Sequence, residues 1–328
     1  MNTVIARGVS TLLACAAATQ LGLPVAHAQP FPGTPIRLVV PFGPGGPSDF
    51  VARTYGDRLR VALNSPVLVD SRPGANTAIG TDITAKANPD GHTLLVVSLM
   101  TAVSLPYLQK ALPYRLDDLM LVNRFVTTPM SVAVHASIPA TGLKELVAHA
   151  RANPGKLNFG SSGVGQAYHL AAELFAMRTG VAMNHVPCKG SAQTLTDLIG
   201  GNIQLAWDAP LAPLPHLKSG KLKVLGSTGA KRVPQLPDVP TFMEQGIADY
   251  DLELRWGIFG PRGIPVAVAQ RLHAETGRIA ALPEVKEAVA KLAVEPATCA
   301  SLGVCAQQLR AESALVGSII RTVGIKPE

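Results

Sequence analysis

The 328-residue chain contains 47% hydrophobic and 16% charged residues, a balance typical of a packed globular protein and not of a disordered one. Its formal net charge of +7 slightly favours anionic small molecules or surfaces. The chain has no block of lysines and arginines interleaved with aromatic residues, so the sequence predicts no nucleic-acid partner.

The first 28 residues have the pattern of an export signal. A short start with Arg7 precedes an apolar stretch over 9–18, and Ala26-His27-Ala28 is the small-x-small pattern that signal peptidase cuts. The apolar stretch is about half of the roughly 20 residues needed to span a bilayer, which argues against a membrane anchor. A lipoprotein signal ending at Cys15 fits less well, because the apolar region before it is very short. We expect cleavage after Ala28 and a periplasmic location.

Strand-length apolar runs alternate with helical patterns in two successive sets. The first set predicts strand 36–40, helix 49–63, strand 66–69, helix 78–87 and strand 93–97. The second set predicts strand 131–134, helix 143–151, strand 157–160, helix 166–178, strand 183–186, helix 192–199 and strand 203–207. This order predicts sheets flanked by helices, with ligand sites outside the carboxyl ends of the strands.

The last third of the chain predicts a strand at 222–226, a proline-rich turn segment, and helices at 265–281, 283–292 and 302–323. We expect these helices to cover the first unit, so that the chain crosses twice between two lobes, near 125–131 and 247–256. The expected fold class is α/β, with a parallel or mixed sheet in each lobe and a hinged cleft between them. Lobe 1 is predicted to comprise 29–128 and 252–328, and lobe 2 to comprise 129–251.

The turn from Pro41 to Asp49 follows the first strand and leads into a helix. Its glycines allow positive φ and close backbone approach, and Ser48 or Asp49 can cap the helix. Free N–H groups at that helix start would attract a carboxylate. An ordinary strand-to-helix loop fits the segment equally well, because it does not match G-x-G-x-x-G and has no P-loop lysine.

A second glycine turn, 159–166, adds Ser161 and Ser162 at the start of another helix. Neither serine has the two flanking glycines of a hydrolase nucleophile elbow. His169, one turn later, can be read as a base, or with Glu173 as a metal-binding pair. We favour a histidine with ordinary hydrogen-bond partners at the cleft edge, and no metal, because no third ligand or orienting acid is suggested nearby.

The cysteines leave two interpretations open. Cys299 and Cys305 can pair in an oxidising compartment, or both can remain small unpaired hydrophobic residues. Cys188 follows a strand-like run, and the chain has no cysteine and histidine set with metal spacing.

Several motifs, in their order and spacing, carry a resemblance to a known family over the whole predicted mature length. They are Pro35 to Phe42 running into Gly45 to Asp49, Arg72-Pro73-Gly74-Ala75 with Ile79-Gly80, Ala85 to Gly91, Ser161 to Gly165 with His169-Leu170, Pro187 to Gly190, Pro234 to Pro240 and the closing Gly324 to Pro327. The chain resembles the Bug-type extracytoplasmic solute receptors of tripartite tricarboxylate transporters.

This resemblance implies a type II-like, Venus-flytrap periplasmic binding protein that closes on a small organic acid and presents it to membrane permease subunits. In such receptors the main chain of two loops, with bridging waters, holds one carboxylate of the ligand. The expected ligand-binding residues are Phe42, Gly45, Gly46, Ser48, Asp49, Thr101, Ser161, Ser162, Gly163, Gly165, His169, Lys189, Gly190 and Asp208.

Some positions depart from the family pattern. Asn76-Thr77 stands where relatives commonly have a glycine pair, and His92 and Cys188 stand where they commonly have tyrosine. Losing the aromatic residue at Cys188 can widen the cleft. Asp208, which in relatives often helps to select the distal end of the ligand, can accept from a hydroxyl or ammonium of the ligand, or can cap a following helix.

The functional hypothesis is a monomeric, non-catalytic receptor without a cofactor. Its ligand would be a di- or tricarboxylate, an aromatic acid or an acidic amino acid. The alternatives are a secreted serine hydrolase using Ser161 or Ser162 with His169, and a ligand-binding subunit of a signalling system.

Overall fold

The computed structural model describes residues 31–248, 250, 252–291 and 293–325. The predicted export signal lies outside these residues. The strands are β1 (Ile36–Val40), β2 (Val67–Ser71), β3 (Thr93–Ser98), β4 (Leu119–Pro129), β5 (Ser131–His135), β6 (Leu157–Ser161), β7 (Met183–Pro187), β8 (Leu205–Asp208), β9 (Leu222–Ser227), β10 (Glu253–Pro261) and β11 (Glu295–Pro296).

The helices follow the strands in the alternation that the sequence predicts. They are α1 (Pro47–Leu63), α2 (Ala78–Ala85), α3 (Leu99–Leu108), α4 (Leu143–Ala152), α5 (Ala167–Thr179), α6 (Ser191–Ile199), α7 (Leu214–Leu217), α8 (Val266–Ala281), α9 (Pro283–Ala290) and α10 (Leu302–Val323). Short 3-10 turns occupy Ala75–Thr77 and Leu116–Asp118.

The first sheet has the strand order β11-β4-β10-β3-β1-β2. Strand β1 pairs in parallel with β2 and β3, and β10 runs antiparallel to β3 and β4. In β1, Leu38, Val39 and Val40 are fully buried, as expected for a parallel strand covered on both faces. Helix α1 packs on this sheet through Val51, Tyr55 and Leu59.

The second sheet has the order β7-β6-β8-β5-β9, with β6 parallel to β7 and β8, and β5 antiparallel to β8 and β9. The protein therefore has a two-lobed α/β fold with a mixed sheet in each lobe, in agreement with the predicted fold class. In the described part of the chain, no helix combines the length and apolar character needed to cross a membrane.

The two connections between the sheets meet at Thr228. The chain passes from β4 to β5 at Met130 and returns to β10 after Leu252. The Met130 amide donates to the Thr228 hydroxyl at 2.9 Å, and the Thr228 amide donates to the Met130 carbonyl at 2.8 Å. The Thr228 hydroxyl also donates to the Leu252 carbonyl. One buried threonine thus joins both connecting segments side by side, the arrangement expected of a two-segment hinge.

Three longer elements of the first lobe, β4, β10 and α3, were not predicted from the sequence. Strands β4 and β10 pair with each other over most of their length. Helix α3 contains Pro106 and is buried on nearly every side, so its sequence shows no amphipathic period. In the second lobe, the strand predicted over 203–207 is β8, which begins at Leu205.

Cys299 and Cys305 form a disulfide with their Cα atoms 5.4 Å apart, which resolves the two interpretations in favour of pairing. The bridge joins the segment after β11 to the first turn of α10. Cys188 remains a free thiol.

We expect reduction of this disulfide to lower the free energy of unfolding by about 2 kcal/mol, because the bridge closes a short loop in the unfolded chain. Urea unfolding with and without reductant measures the change. A Cys188→Ala variant should respond to reductant as the wild type does, and a Cys299→Ala/Cys305→Ala variant should not respond. An unchanged midpoint for the reduced wild type would contradict a stabilising bridge.

Candidate functional site

A cavity of about 870 Å³ lies between the lobes. Its wall includes the glycine loop of the first lobe over 42–48, Ser98 and Thr101 at the start of α3, and Trp256 of β10. The second lobe contributes Ser162, the start of α5, residues 189–192 and Asp208. The carboxyl ends of β1, β3, β6 and β8 lead into these wall segments, as the sheet topology predicts.

Among the described helices of eight or more residues, four begin at the cavity wall, two from each lobe. The wall residues at these helix starts, N-caps included, are Pro47 and Ser48 for α1, Ser98 and Thr101 for α3, Gln166 and Ala167 for α5, and Gly190 and Ser191 for α6. The first turn of a helix leaves N–H groups without intrahelical acceptors and carries partial positive charge. Together these helix ends create a potential that favours an anion in the cavity.

The carboxylate of Asp49 stabilises the first glycine loop. Gly45 has φ +84°, and its amide donates to Asp49 Oδ2 at 3.0 Å, while Arg53 donates to the same oxygen at 2.9 Å. Burial opposes ionisation of Asp49, but the hydrogen bonds from Arg53 and Gly45 outweigh burial and hold its pKa below the usual value. The expected capping role of Ser48 or Asp49 is wrong. The N-cap is Gly46, which is extended, and the Ser48 hydroxyl accepts from Trp256 Nε1 at 2.9 Å.

The second loop does not form a Ser-His pair with His169. Nδ1 of His169 accepts the Gly165 amide at 2.8 Å, and its Nε2 lies 3.3 Å from Glu173 Oε1. Ser161 is fully buried and lies 2.7 Å from His185 Nε2. His169 therefore fixes the loop backbone, and the proposed base role of His169 toward either serine is wrong. Among the described residues, no group of three or more His, Cys, Asp or Glu side chains could hold a metal ion.

His185 stacks on His169 with ring centroids 3.8 Å apart. Burial and the neighbouring His169 lower the pKa of His185 to about 3, so the ring is neutral near neutral pH. Through the contact of His185 with Ser161 and that of His169 with Gly165, the stacked rings connect β7 to the end of β6 and to the loop before α5.

Asp208 is the one acidic side chain among the described residues that line the cavity. Its Oδ1 accepts from the Ala209 amide at 2.7 Å and from the Ser191 hydroxyl at 3.0 Å. Burial raises its pKa to about 6, against the opposing hydrogen bonds from Ala209, Ser191 and Tyr168. The capping interpretation is wrong, because α7 begins only at Leu214, after an N-cap at Pro213.

A chain of side-chain hydrogen bonds joins the lobes at the cavity edge. Asn76 of the first lobe donates to the Val164 carbonyl at 2.7 Å and accepts from Gln166 Nε2 at 2.7 Å. Gln166 Oε1 accepts from the Thr101 hydroxyl at 2.9 Å. We refer to these contacts of Asn76, Thr101, Val164 and Gln166 as the interlobe bridge.

The backbone at the interlobe bridge is left-handed over three residues that are not glycine. Ala75, Asn76 and Thr77 have φ of 44°, 52° and 81°. Relatives were expected to have glycine at the last two positions, and glycine suits this conformation best. Asn tolerates it, whereas a β-branched residue such as Thr77 is strained there. The chain thus maintains an unfavourable backbone conformation at a position where a side chain reaches the other lobe.

The expected site residues divide into three groups. Those lining the main cavity are Phe42, Gly45, Gly46, Ser48, Thr101, Ser162, Lys189, Gly190 and Asp208. Asp49, Ser161, Gly165 and His169 lie outside its wall, and their contacts shape the two loops. Gly163 instead lines an adjoining hollow of about 520 Å³, together with the free thiol Cys188.

Wall residues that the sequence analysis did not name as site residues include Gln166, Tyr168, Ser191 and Trp256. For Gln166, Tyr168 and Ser191, the available signal in the sequence was their position at the start of a predicted helix. Trp256 is buried, lines the cavity and donates its Nε1–H to the Ser48 hydroxyl.

The sequence pattern of the TctC family, described as the tripartite tricarboxylate transporter family receptor, matches residues 51–325. The chain belongs to this family. A TctC relative, the UPF0065 protein in the tcbD-tcbE intergenic region of Pseudomonas sp. strain P51, is 37% identical over 269 residues, covering 81% of this chain and 80% of the relative.

Two solved structures of similar proteins share the architecture of this TctC receptor. R. palustris Rpa4515 with adipate has a TM-score of 0.84 at 30% identity, covering 91% of this chain and 100% of that one. MatC from Rhodopseudomonas palustris with bound malate has a TM-score of 0.79 at 27% identity, covering 88% and 100%. The solved structure of the periplasmic binding protein BugD has a TM-score of 0.81 at 28% identity, covering 91% of this chain and 100% of that one, and it confirms the Bug-type identification made from the sequence motifs. The family is one of substrate-binding receptors and not of enzymes.

The raised pKa of Asp208 predicts a pH-dependent stability of the TctC receptor. Between pH 3.8 and about 6 the folded protein keeps this proton while the unfolded chain releases it, so the free energy of unfolding falls as pH rises through this window. We expect the wild type to lose on the order of 3 kcal/mol relative to Asp208→Asn. Urea unfolding of both proteins across the window measures the difference. Exposed Asp238→Asn is the control, and a constant difference between wild type and Asp208→Asn would contradict the prediction.

The interlobe bridge predicts that Asn76→Gly opens the ligand-free TctC receptor. Glycine accepts the left-handed backbone but removes two side-chain hydrogen bonds between the lobes, each contributing about 1 kcal/mol. Small-angle X-ray scattering should show a larger radius of gyration. Ala75→Gly, at another left-handed position with no side-chain hydrogen bond, should scatter like the wild type. Identical curves for all three proteins would show that the bridge does not hold the lobes together.

Proposed function

We propose that this chain is a periplasmic receptor that captures a small carboxylate-containing organic acid between its lobes for a tripartite tricarboxylate-type transporter. One observation carries the proposal: helix N-termini from both lobes begin at a single cavity. A carboxylate there accepts main-chain hydrogen bonds from both lobes, so that binding favours the closed form. The ligands of the two structural neighbours, adipate and malate, are both carboxylates.

The charged side chains at the wall are consistent with an anionic ligand. Lys189 and Lys291 supply positive charge, and Asp208 supplies the acidic group of the described wall. Burial raises the pKa of Asp208 to about 6, so its carboxyl can donate a hydrogen bond below that pH and only accepts above it. We propose that the two glycine loops hold the carboxylate and that Asp208 contacts the rest of the ligand.

The lobe boundaries form part of the same proposal. We assign 29–128 with 252–328 to lobe 1 and 129–251 to lobe 2. The separation of the two sheets and the meeting of both connections at Thr228 support this division. Closure around Thr228 would bring the two glycine loops onto the ligand.

A thermal-shift series tests the proposal with di- and tricarboxylates, aromatic acids and acidic amino acids as probes. A ligand at 100 times its Kd should stabilise the protein by roughly 2.7 kcal/mol. Calorimetry with the best probe then gives the stoichiometry, and uptake by cells carrying the permease subunits tests delivery. No stabilisation by any of these acids at high concentration would refute a carboxylate receptor.

Gly46→Val should weaken carboxylate binding roughly tenfold or more while the protein stays folded. Gly46 has φ −85°, and an added Cβ would lie 4.0 Å from the Gly43 carbonyl oxygen, so valine fits the backbone but its side chain enters the cavity. Calorimetry measures the affinity. The control is Gly303→Val, where an added Cβ makes only an ordinary contact 3.7 Å from Ser301 Oγ. Unchanged affinity in Gly46→Val would remove the first loop from the anion site.

Gly163 is unsuitable for the same test. An added Cβ there would lie 2.9 Å from Asn76 Oδ1, so a substitution would disturb the interlobe bridge as well as the loop.

A further inference from the structure

Outside the two glycine loops, a large part of the cavity wall is apolar. Its apolar residues come from both lobes: Phe50, Val51, Leu195, Leu211, Ala212, Leu214, Pro215, Leu254 and Val294. Leu195, Leu211 and Leu214 are only half-buried, so each leaves apolar surface uncovered. We refer to this set as the apolar wall.

Few polar groups are available beside the apolar wall. The Thr128 hydroxyl is already used, because it donates to the Ala293 carbonyl at 2.8 Å. Lys291 has a largely exposed side chain, 3.7 Å from Glu287. A ligand carrying several hydroxyl or carboxylate groups would place some of them against carbon, where an unpaired polar group loses its hydration without compensation.

The size of the cavity also argues against a compact, highly polar ligand. Its volume of about 870 Å³ lies in the range of sites that enclose drug-sized molecules, roughly 300 to 1,000 Å³. A compact four-carbon acid held at the glycine loops would leave the apolar wall in contact with water. A ring attached to the carboxylate would cover it and remove apolar surface from water.

We propose that the ligand is an aromatic or alicyclic carboxylic acid, with its carboxylate at the two glycine loops and its ring against the apolar wall. This inference rests on the proposed function and specifies its substrate class. The wall residues Leu195 and Leu211 act as specificity-determining residues, since they favour a ring over a polar chain.

Calorimetry on the purified mature chain tests the inference with benzoate, phenylacetate, 3-phenylpropionate and cyclohexanecarboxylate against malate, citrate and adipate. We expect at least one ring acid to bind about tenfold tighter than any of the compact acids. The heat-capacity change on binding of that ring acid should be more negative than that of the compact acids, because the ring buries more apolar surface. Benzamide, which has the ring without the carboxylate, should bind far more weakly than benzoate.

Two wall variants locate the ring. Leu211→Asn and Leu195→Asn should each weaken ring-acid binding about tenfold without weakening malate or adipate binding. Leu315→Asn, at an exposed position on α10, is the matched control and should bind like the wild type. Circular dichroism verifies folding, and the two wall variants lie on different elements, so that one remains informative if the other unfolds.

The outcomes separate the two proposals. Tighter binding of malate, citrate or adipate than of every ring acid would overturn the substrate class and leave the carboxylate receptor standing. Binding of no acid in either set would overturn both. Equal ring-acid affinity in both wall variants and the wild type would show that the ring lies elsewhere and would overturn the assigned wall.

Discussion

The convergence of four helix N-termini on one cavity is the constraint on which the site depends. Helices α1 and α3 belong to one lobe and α5 and α6 to the other, so their positive ends share a space only where the lobes adjoin. An anion held there lowers the free energy of the closed arrangement relative to the open one. Ligand binding and lobe closure therefore follow from the same electrostatic arrangement.

The protein also contributes interlobe contacts of its own. Asn76 hydrogen-bonds to Gln166 and Val164 from a strained, left-handed segment, and Gln166 connects onward to Thr101 in the cavity wall. Gln166 is also the N-cap residue of α5. The interlobe bridge thus links cleft closure to the start of a helix that lines the site.

Under the proposed function, the glycine loops and the apolar wall contact different parts of the ligand. The glycine loops and helix ends are general features for carboxylate recognition, because main-chain N–H groups do not distinguish one acid from another. Discrimination must come from the remaining surface, where Asp208 and the apolar wall lie. Receptors of one family can therefore retain the main-chain contacts to a carboxylate and still bind different acids.

The sequence by itself determined the alternation of strands and helices and the two glycine turns, because periodicity and turn chemistry depend on neighbouring residues. The family was indicated separately, by the resemblance of the chain's motifs to those of known receptors. Only the tertiary structure decided the long β4–β10 pairing, the disulfide and the partners of His169 and Asp208. Asn76 and Val164 lie 88 positions apart, and no local pattern specifies their contact. Such contacts arise when whole elements pack, since packing sets the distance between residues that are remote in the chain.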